Sequence, residues 1–307
     1  MSPSHPAAAP TSEPRVIRCD DGVALHCTVF PAAPARDRGV TVIVCPAVLV
    51  RQRYYAAFAA YLAEQGVRAI TVANRGMGTS LAAEARPAPH RLRDWGERDL
   101  PAVVAWAKST EPTHRLSLVG HSMGGQIVGL TDSIHALDSI VTVVATAAWW
   151  GHWPFPTNVG ILAWYLTIPV MGRALKAVPA DRFGMGPDMT TSLARDWARW
   201  GRHPEYLAGP FGHTLHMRSY AGRVLAYSFT DDEHLGCRRA VDALHSDYLQ
   251  AGLVRRHVDP ASLGVPAVGH FGYFRRTAGA QLWAETVDFI TAESAAVPAT
   301  SPAAPSA

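Results

Sequence analysis

Charge is sparse in this sequence. Asp, Glu, Lys and Arg make up 17% of its 307 residues and nearly cancel, leaving a net charge of +3. No basic stripe with interleaved aromatics occurs, so nucleic acid is not an expected partner. Cysteine is scarcer still. Cys19, Cys27, Cys45 and Cys237 have neither metal-ligand spacing nor the density of a secreted disulfide scaffold, and they read as free thiols in a reducing, cytoplasmic setting. No run approaches the roughly 18 apolar residues of a membrane span, so no integral membrane segment is expected. Residues 1–14 lack the basic and apolar regions of a signal peptide. They are rich in Pro, Ala and Ser, as are residues 295–307, and both ends read as disordered arms. No internal repeat is visible.

What is present is apolar. The hydrophobic fraction is 48%, enough for one large α/β core. Val16 to Phe30 alternates around Asp21-Gly22 and reads as a β-hairpin. Buried strands are expected at Thr41–Cys45, Arg68–Ala73, Arg115–Val119, Ile140–Ala145, Arg223–Ser228 and Val254–Val258. Between them, helical spacing recurs in Tyr54, Phe58, Tyr61 and Leu62, in Leu100, Val103, Val104 and Ala107, and in Leu282, Val287 and Ile290. Strands alternating with helices predict a mostly parallel sheet covered on both faces. Residues 15–146 and 223–294 then form the core. Residues 147–222 break the rhythm. A structureless loop of that length is unexpected in a compact domain, so the segment reads as an inserted helical cap. It holds six of the nine tryptophans: Trp149, Trp150, Trp153, Trp164, Trp197 and Trp200. Its apolar stretch Gly160–Met171, interrupted by Pro169, reads as a cap helix seated on the core rather than one touching a membrane.

The chain is organised around Gly120-His121-Ser122-Met123-Gly124-Gly125. A strand leads into this turn and a helix, expected from Gln126, leads out. A serine held between strand and helix by flanking glycines is a nucleophile elbow. Side chains at the glycine positions would meet neighbouring backbone, and glycine tolerates the strained dihedrals.

A serine needs a base, and the base needs an orienting acid. The loop after the 223–228 strand offers Thr230-Asp231-Asp232-Glu233-His234, in which two aspartates compete. The loop after the last strand offers His270 between Gly269 and Phe271-Gly272. His234 is the rival base. His213 and His216 read as surface residues, and the His121 side chain is expected to point away from the nucleophile. An oxyanion hole requires two backbone N–H groups, one from Met123 and one from the Cys45-Pro46-Ala47-Val48-Leu49 loop at about Val48.

With these residues placed, the sequence resembles the α/β-hydrolase superfamily over about residues 16–292. It is similar to a group of bacterial proteins known mainly as predicted α/β-hydrolases. The resemblance rests on Pro46-Ala47 followed by Arg53-Tyr54-Tyr55, on Asp94-Trp95-Gly96, on the elbow, on Ser228 to Glu233, and on Gly269 to Arg275. It implies an eight-stranded, mostly parallel sheet with an inserted cap, and a triad of Ser122, Asp232 and His270. The acid loop resembles the G-x-x-D-x-x-V-P pattern of such hydrolases, a register that lands on Asp232 and leaves Asp231 as a turn or capping residue. Two positions depart from the family. Val48 and Leu49 replace small residues and narrow the acyl side. Ala73 replaces the usual Asp before Arg75-Gly76, which removes a structural hydrogen bond.

The expected chemistry is hydrolysis of a carboxylic ester or thioester with a hydrophobic moiety, through an acyl-enzyme on Ser122, with no metal or cofactor. The expected partner is a small hydrophobic acyl substrate, with Leu49, Trp149, Trp150 and Trp153 lining its pocket. Two alternatives use the same sequence. One is an acyltransferase or cyclase, in which a nucleophile other than water takes the acyl group. The other is a non-catalytic, ligand-binding hydrolase fold.

Overall fold

Strands β1 (Glu13–Arg18) and β2 (Ala24–Phe30) form the expected antiparallel hairpin. Its turn passes through Gly22 at φ +83°, a conformation that favours glycine. The computed structural model describes residues 12–82, 89–183, 186–209 and 215–293. The strands that follow are β3 (Val40–Cys45), β4 (Arg68–Ala73), β5 (Arg115–His121) and β6 (Ser139–Val143). A short antiparallel pair, β7 (Ala177–Val178) and β8 (Met189–Thr190), lies apart from the main sheet. Then come β9 (Arg223–Phe229) and β10 (Gly252–Val258). The main sheet has eight strands in the order β1-β2-β4-β3-β5-β6-β9-β10. Its hairpin end is antiparallel, and β4 to β10 run parallel.

Side-chain alternation along these strands builds two cores. On one face Val42, Val44, Val119, Val141 and Leu225 pack with Phe58 and Leu62 of α1 (Ala56–Glu64). Leu282, Val287 and Ile290 of the closing helix join them. On the other face Ile43, Ile70, Leu118 and Ile140 meet Leu100, Val103 and Val104. The helices are α2 (Gly78–Ala82), α3 (Leu100–Thr110), α4 (Met123–Gln126), α5 (Thr157–Leu175), α6 (Thr191–Gly201), α7 (Arg238–His245) and α8 (Arg276–Thr291).

Several boundaries differ from the sequence expectation. β1 begins at Glu13, inside the segment read as an arm. The strand expected to run to Ala145 stops at Val143, because Val144 takes φ +47°, a strained value for a β-branched residue. The helix expected from Gln126 starts at Met123 and tightens to 3₁₀ at Ile127–Leu130.

Between β6 and β9, α5 and α6 pack on one another. α5 buries Tyr165, Ile168 and Gly172 and exposes Val159, Leu166 and Val170. Among the described residues no helix is long and apolar enough to cross a membrane. All four cysteines are free.

Ala73 does not leave the following loop unsupported. Arg75 is fully buried, and its Nε donates to Asp99 Oδ1 at 2.5 Å. Its backbone N–H reaches Asp99 Oδ2 at 3.0 Å, and a guanidinium nitrogen reaches Asp21 Oδ2 at 2.6 Å. Trp95 Nε1 donates to the Arg75 carbonyl at 3.0 Å. Burial pushes the Asp99 carboxyl up to about 6 against the pull of Arg75, so the pair depends on both members. Removing one leaves an uncompensated buried charge. Arg75→Met should therefore cost about 3–5 kcal/mol in urea unfolding, and adding Asp99→Leu should recover much of it. Equal stability of Arg75→Met and the parent would contradict this reading.

Candidate active site

Ser122 sits between β5 and α4 at φ +48° and ψ −114°. Non-glycine residues visit this region at a cost that the surroundings must offset. Its N–H donates to the Val143 carbonyl at 2.8 Å, and its own carbonyl accepts from Gly125 at 3.0 Å. The neighbouring glycines make the approach possible. A Cβ on Gly120 would lie 2.5 Å from Gly125 Cα, and one on Gly124 would lie 2.2 Å from the Cys45 carbonyl oxygen. No side chain larger than hydrogen fits at either position.

His270 Nδ1 and Asp232 Oδ2 are 2.7 Å apart, with both side chains almost fully buried. Asp232 Oδ1 accepts from the N–H groups of Leu235 at 3.3 Å and Gly236 at 3.0 Å. That grip fixes the carboxylate plane. Asp231 has a different partner set from the turn or cap expected of it. Its Oδ2 accepts from the N–H groups of Val268 at 2.8 Å and Gly269 at 2.9 Å. Adjacent aspartates thus grip the His270 segment twice, Asp232 by the imidazole and Asp231 by the backbone just before it. His234 is exposed and lines the same cavity as Ser122. His216 is half-buried beside Asp132, and His213 lies outside the described residues.

His121 points into the core and ties two loops together. Its Nε2 lies 2.8 Å from the His270 carbonyl oxygen, which can only accept, so Nε2 carries the proton. Nδ1 is then an acceptor, and the Tyr55 hydroxyl donates to it at 2.8 Å. The Tyr55 oxygen accepts in turn from the Ala47 N–H at 2.8 Å. One tautomer satisfies every member. Burial and the nearby His270 hold the His121 imidazole well below the usual histidine range, because protonation would set a second donor against the Tyr55 hydroxyl. The link also takes the Ala47 N–H out of contention as an oxyanion donor.

Ser122 and His270 line one cavity of about 780 Å³. Val48, Leu49 and Met123 line it beside the serine, and Trp153 lies against it from the inserted segment. Trp149 and Trp150, expected there, are not among the lining residues. The Trp149 ring lies over Gly151 and edge-on to His152, and Trp150 packs at the border of the core. Ile161, Trp164 and Tyr165 of α5 and Trp197 of α6 line the cavity instead. The spacing of 161, 164 and 165 marks one helix face, a signal present in the sequence. Gln126 and Thr146 add polar lining, and Arg51, Arg53, Tyr54 and Arg275 line it as well. Gln126 is held by the Tyr206 hydroxyl, which donates to its Oε1 at 2.7 Å.

The alpha/beta hydrolase family model matches residues 24–282, and the chain belongs to that family; it is a hydrolase enzyme. No curated protein matches it in sequence. Solved structures share the fold at low identity. A soluble variant of monoglyceride lipase from Saccharomyces cerevisiae, in complex with a substrate analog, superposes with a TM-score of 0.65 at 11% identity, covering 94% of this chain and 98% of that one. The esterase EaEST from Exiguobacterium antarcticum gives 0.61 at 15% identity, covering 90% and 99%. The alpha/beta hydrolase GrgF from a Penicillium species gives 0.61 at 13% identity, covering 92% and 100%.

Two expectations follow from this geometry. Asp232→Asn should leave the fold intact and lower ester turnover by about 10⁴ by favouring the wrong His270 tautomer. Asp231→Ala should cost far less, since it loosens the backbone and spares the imidazole; steady-state kinetics on both variants checks the order. The second concerns stability against pH. His121 is neutral in the folded protein and titrates near 6.5 when unfolded, so the unfolded state binds the extra proton on acidification. Its contribution is complete above about pH 6.5 and should erode below that by up to about 1.4 kcal/mol per pH unit. Urea titrations of the parent and His121→Gln between pH 7.5 and 5 should show a shallower acid loss in the variant.

Proposed function

We propose that this hydrolase cleaves carboxylic esters or thioesters carrying a hydrophobic group, through an acyl-enzyme on Ser122. The observation that carries the reading is the buried His270–Asp232 pair opening on the same cavity as a serine held at φ +48°. Asp232 occupies Nδ1 of His270, which leaves Nε2 as the base. Ser122 Oγ attacks the carbonyl carbon as His270 takes its proton. The N–H groups of Met123 and Val48 hold the resulting oxyanion, a role supported by the engagement of the preceding amide, that of Ala47, with Tyr55. The tetrahedral intermediate collapses, the bond to the leaving group breaks, and His270 returns the proton to the departing oxygen or sulfur. Water then attacks the acyl carbon with His270 again as base, releasing the acid and restoring Ser122.

Residues 147–222 act in this reading as a cap whose underside supplies the apolar wall. Trp153, Ile161, Trp164 and Trp197 support a hydrophobic acyl preference. Four free cysteines suit a reducing compartment.

The test is hydrolysis of p-nitrophenyl acetate, butyrate, octanoate and laurate. kcat/KM should climb with chain length by roughly 1 kcal/mol or less per methylene until the wall is covered, and Trp164→Ala should flatten the climb. Turnover of none of the four, or acetate as the best substrate with no effect of Trp164→Ala, would overturn the substrate reading.

A further inference from the structure

The cavity wall is largely apolar, but the charged residues among those described on it are of one sign. Arg51, Arg53 and Arg275 line it together with His234 and His270, and among the described residues no Asp or Glu lines it. The three arginines are not equivalent. Arg51 is paired with Asp181 of the inserted segment. Arg53 and Arg275 are exposed, and among the described residues neither has a carboxylate partner.

Tyr54 lies beside two of them in the site. The Tyr54 hydroxyl donates to the Phe271 carbonyl, and the Arg275 guanidinium is near enough to favour the ionised form of Tyr54 against its burial. Phe271 follows His270 directly, with ring centroids 5.1 Å apart, and Arg53 precedes Tyr54. Arg275 thus lies five residues beyond His270, on that side of the cavity, and Arg53 lines the same cavity next to Tyr54, which is bonded to the His270 loop. That is the side where a departing group collects its proton. A guanidinium presents a planar fork of donors that matches an oxyacid anion, and a wall without carboxylates does not compete for it.

Resting on the hydrolase reading above, we propose that the natural substrate carries an oxyanionic group, a carboxylate or phosphate, on its leaving-group portion, received by Arg53 and Arg275. The substrate is then amphiphilic. Its hydrophobic acyl chain lies along the tryptophans of α5 and α6, and its anion lies at Arg53 and Arg275. The structure thereby separates two ends of one ligand that a neutral lipid ester would not require.

The kinetic test uses three thioesters and follows the released thiol. S-octanoyl-3-mercaptopropionate carries its anion on the leaving group, its primary amide is the neutral match, and the S-octyl thioester of succinate carries the anion on the acyl side. The leaving-group anion should be favoured over the amide by about tenfold in kcat/KM at low salt, and the advantage should shrink in about 0.5 M NaCl. In Arg53→Gln/Arg275→Gln the ratio should fall toward one, and Arg53→Lys/Arg275→Lys should retain part of it. No preference, a preference unmoved by the double variant, or a preference for the acyl-side anion would overturn the proposal. Calorimetry with uncleavable thioethers separates this outcome from failure of the hydrolase reading. The parent should bind 3-(octylthio)propionate or the corresponding phosphonate more tightly than 3-(octylthio)propionamide, and the glutamine variant should not. If no thioester is cleaved but that pattern holds, the anion site stands and the hydrolase reading falls. If thioesters are cleaved and neither anion binds better than the amide, the hydrolase reading stands and the anion site falls.

Discussion

The architecture turns on how closely one backbone corner can approach its neighbours. Gly124 lies so near the end of β3 that a Cβ there would sit 2.2 Å from the Cys45 carbonyl oxygen, and Gly120 abuts Gly125 in the same way. Only with hydrogen at these positions can the chain leave β5, reverse through Ser122 at φ +48°, and enter α4. The strain is held by the core beneath it, since every residue from Met123 to Leu130 is buried. A local cost of order 1–3 kcal/mol is thus carried by burial elsewhere, and the serine is delivered to the carboxyl end of the parallel strands.

The remaining groups come from loops far away in sequence, and buried polar bonds bring them into register. Asp232 orients the His270 ring, and Asp231 anchors the backbone before it. His121 and Tyr55 then join the His270 carbonyl to the Ala47 amide, so the His270 loop and the loop after β3 share one hydrogen-bonded chain. In a low-dielectric interior such a chain permits one protonation pattern. A disturbance at Tyr55 would reach the His270 loop and the Ala47 loop together.

Much of the fold was legible because parallel strands buried on both faces read as short apolar runs. Thr41–Cys45 and Arg68–Ala73 lie within or match β3 and β4, and the hairpin around Gly22 forms as expected. The elbow was legible because its glycines answer to local sterics. What depends on distant packing was not. Nothing in the run from Ile140 shows that Val144 turns to positive φ. Arg75 meets Asp99, twenty-four residues onward, and no pattern near Ala73 announces that substitute. Asp231 looked like a turn residue because its partners, Val268 and Gly269, lie on another loop. The cavity lining departs from expectation at Trp149 and Trp150 for the same reason, while Leu49 and Trp153 do line it. Trp149 and Trp150 follow the core in sequence, yet the direction of each indole depends on how α5 and α6 seat, which brings Trp164 and Trp197 inward instead.

The proposed chemistry requires that Ser122 Oγ be the atom that is acylated. The most direct measurement is peptide mapping by mass spectrometry after treatment with a fluorophosphonate, with His270→Ala treated in parallel. One adduct is expected, on the peptide containing Ser122, formed at least ~10³-fold more slowly in His270→Ala. An adduct on any other residue, or labelling of Ser122 at the parent rate without His270, would contradict it.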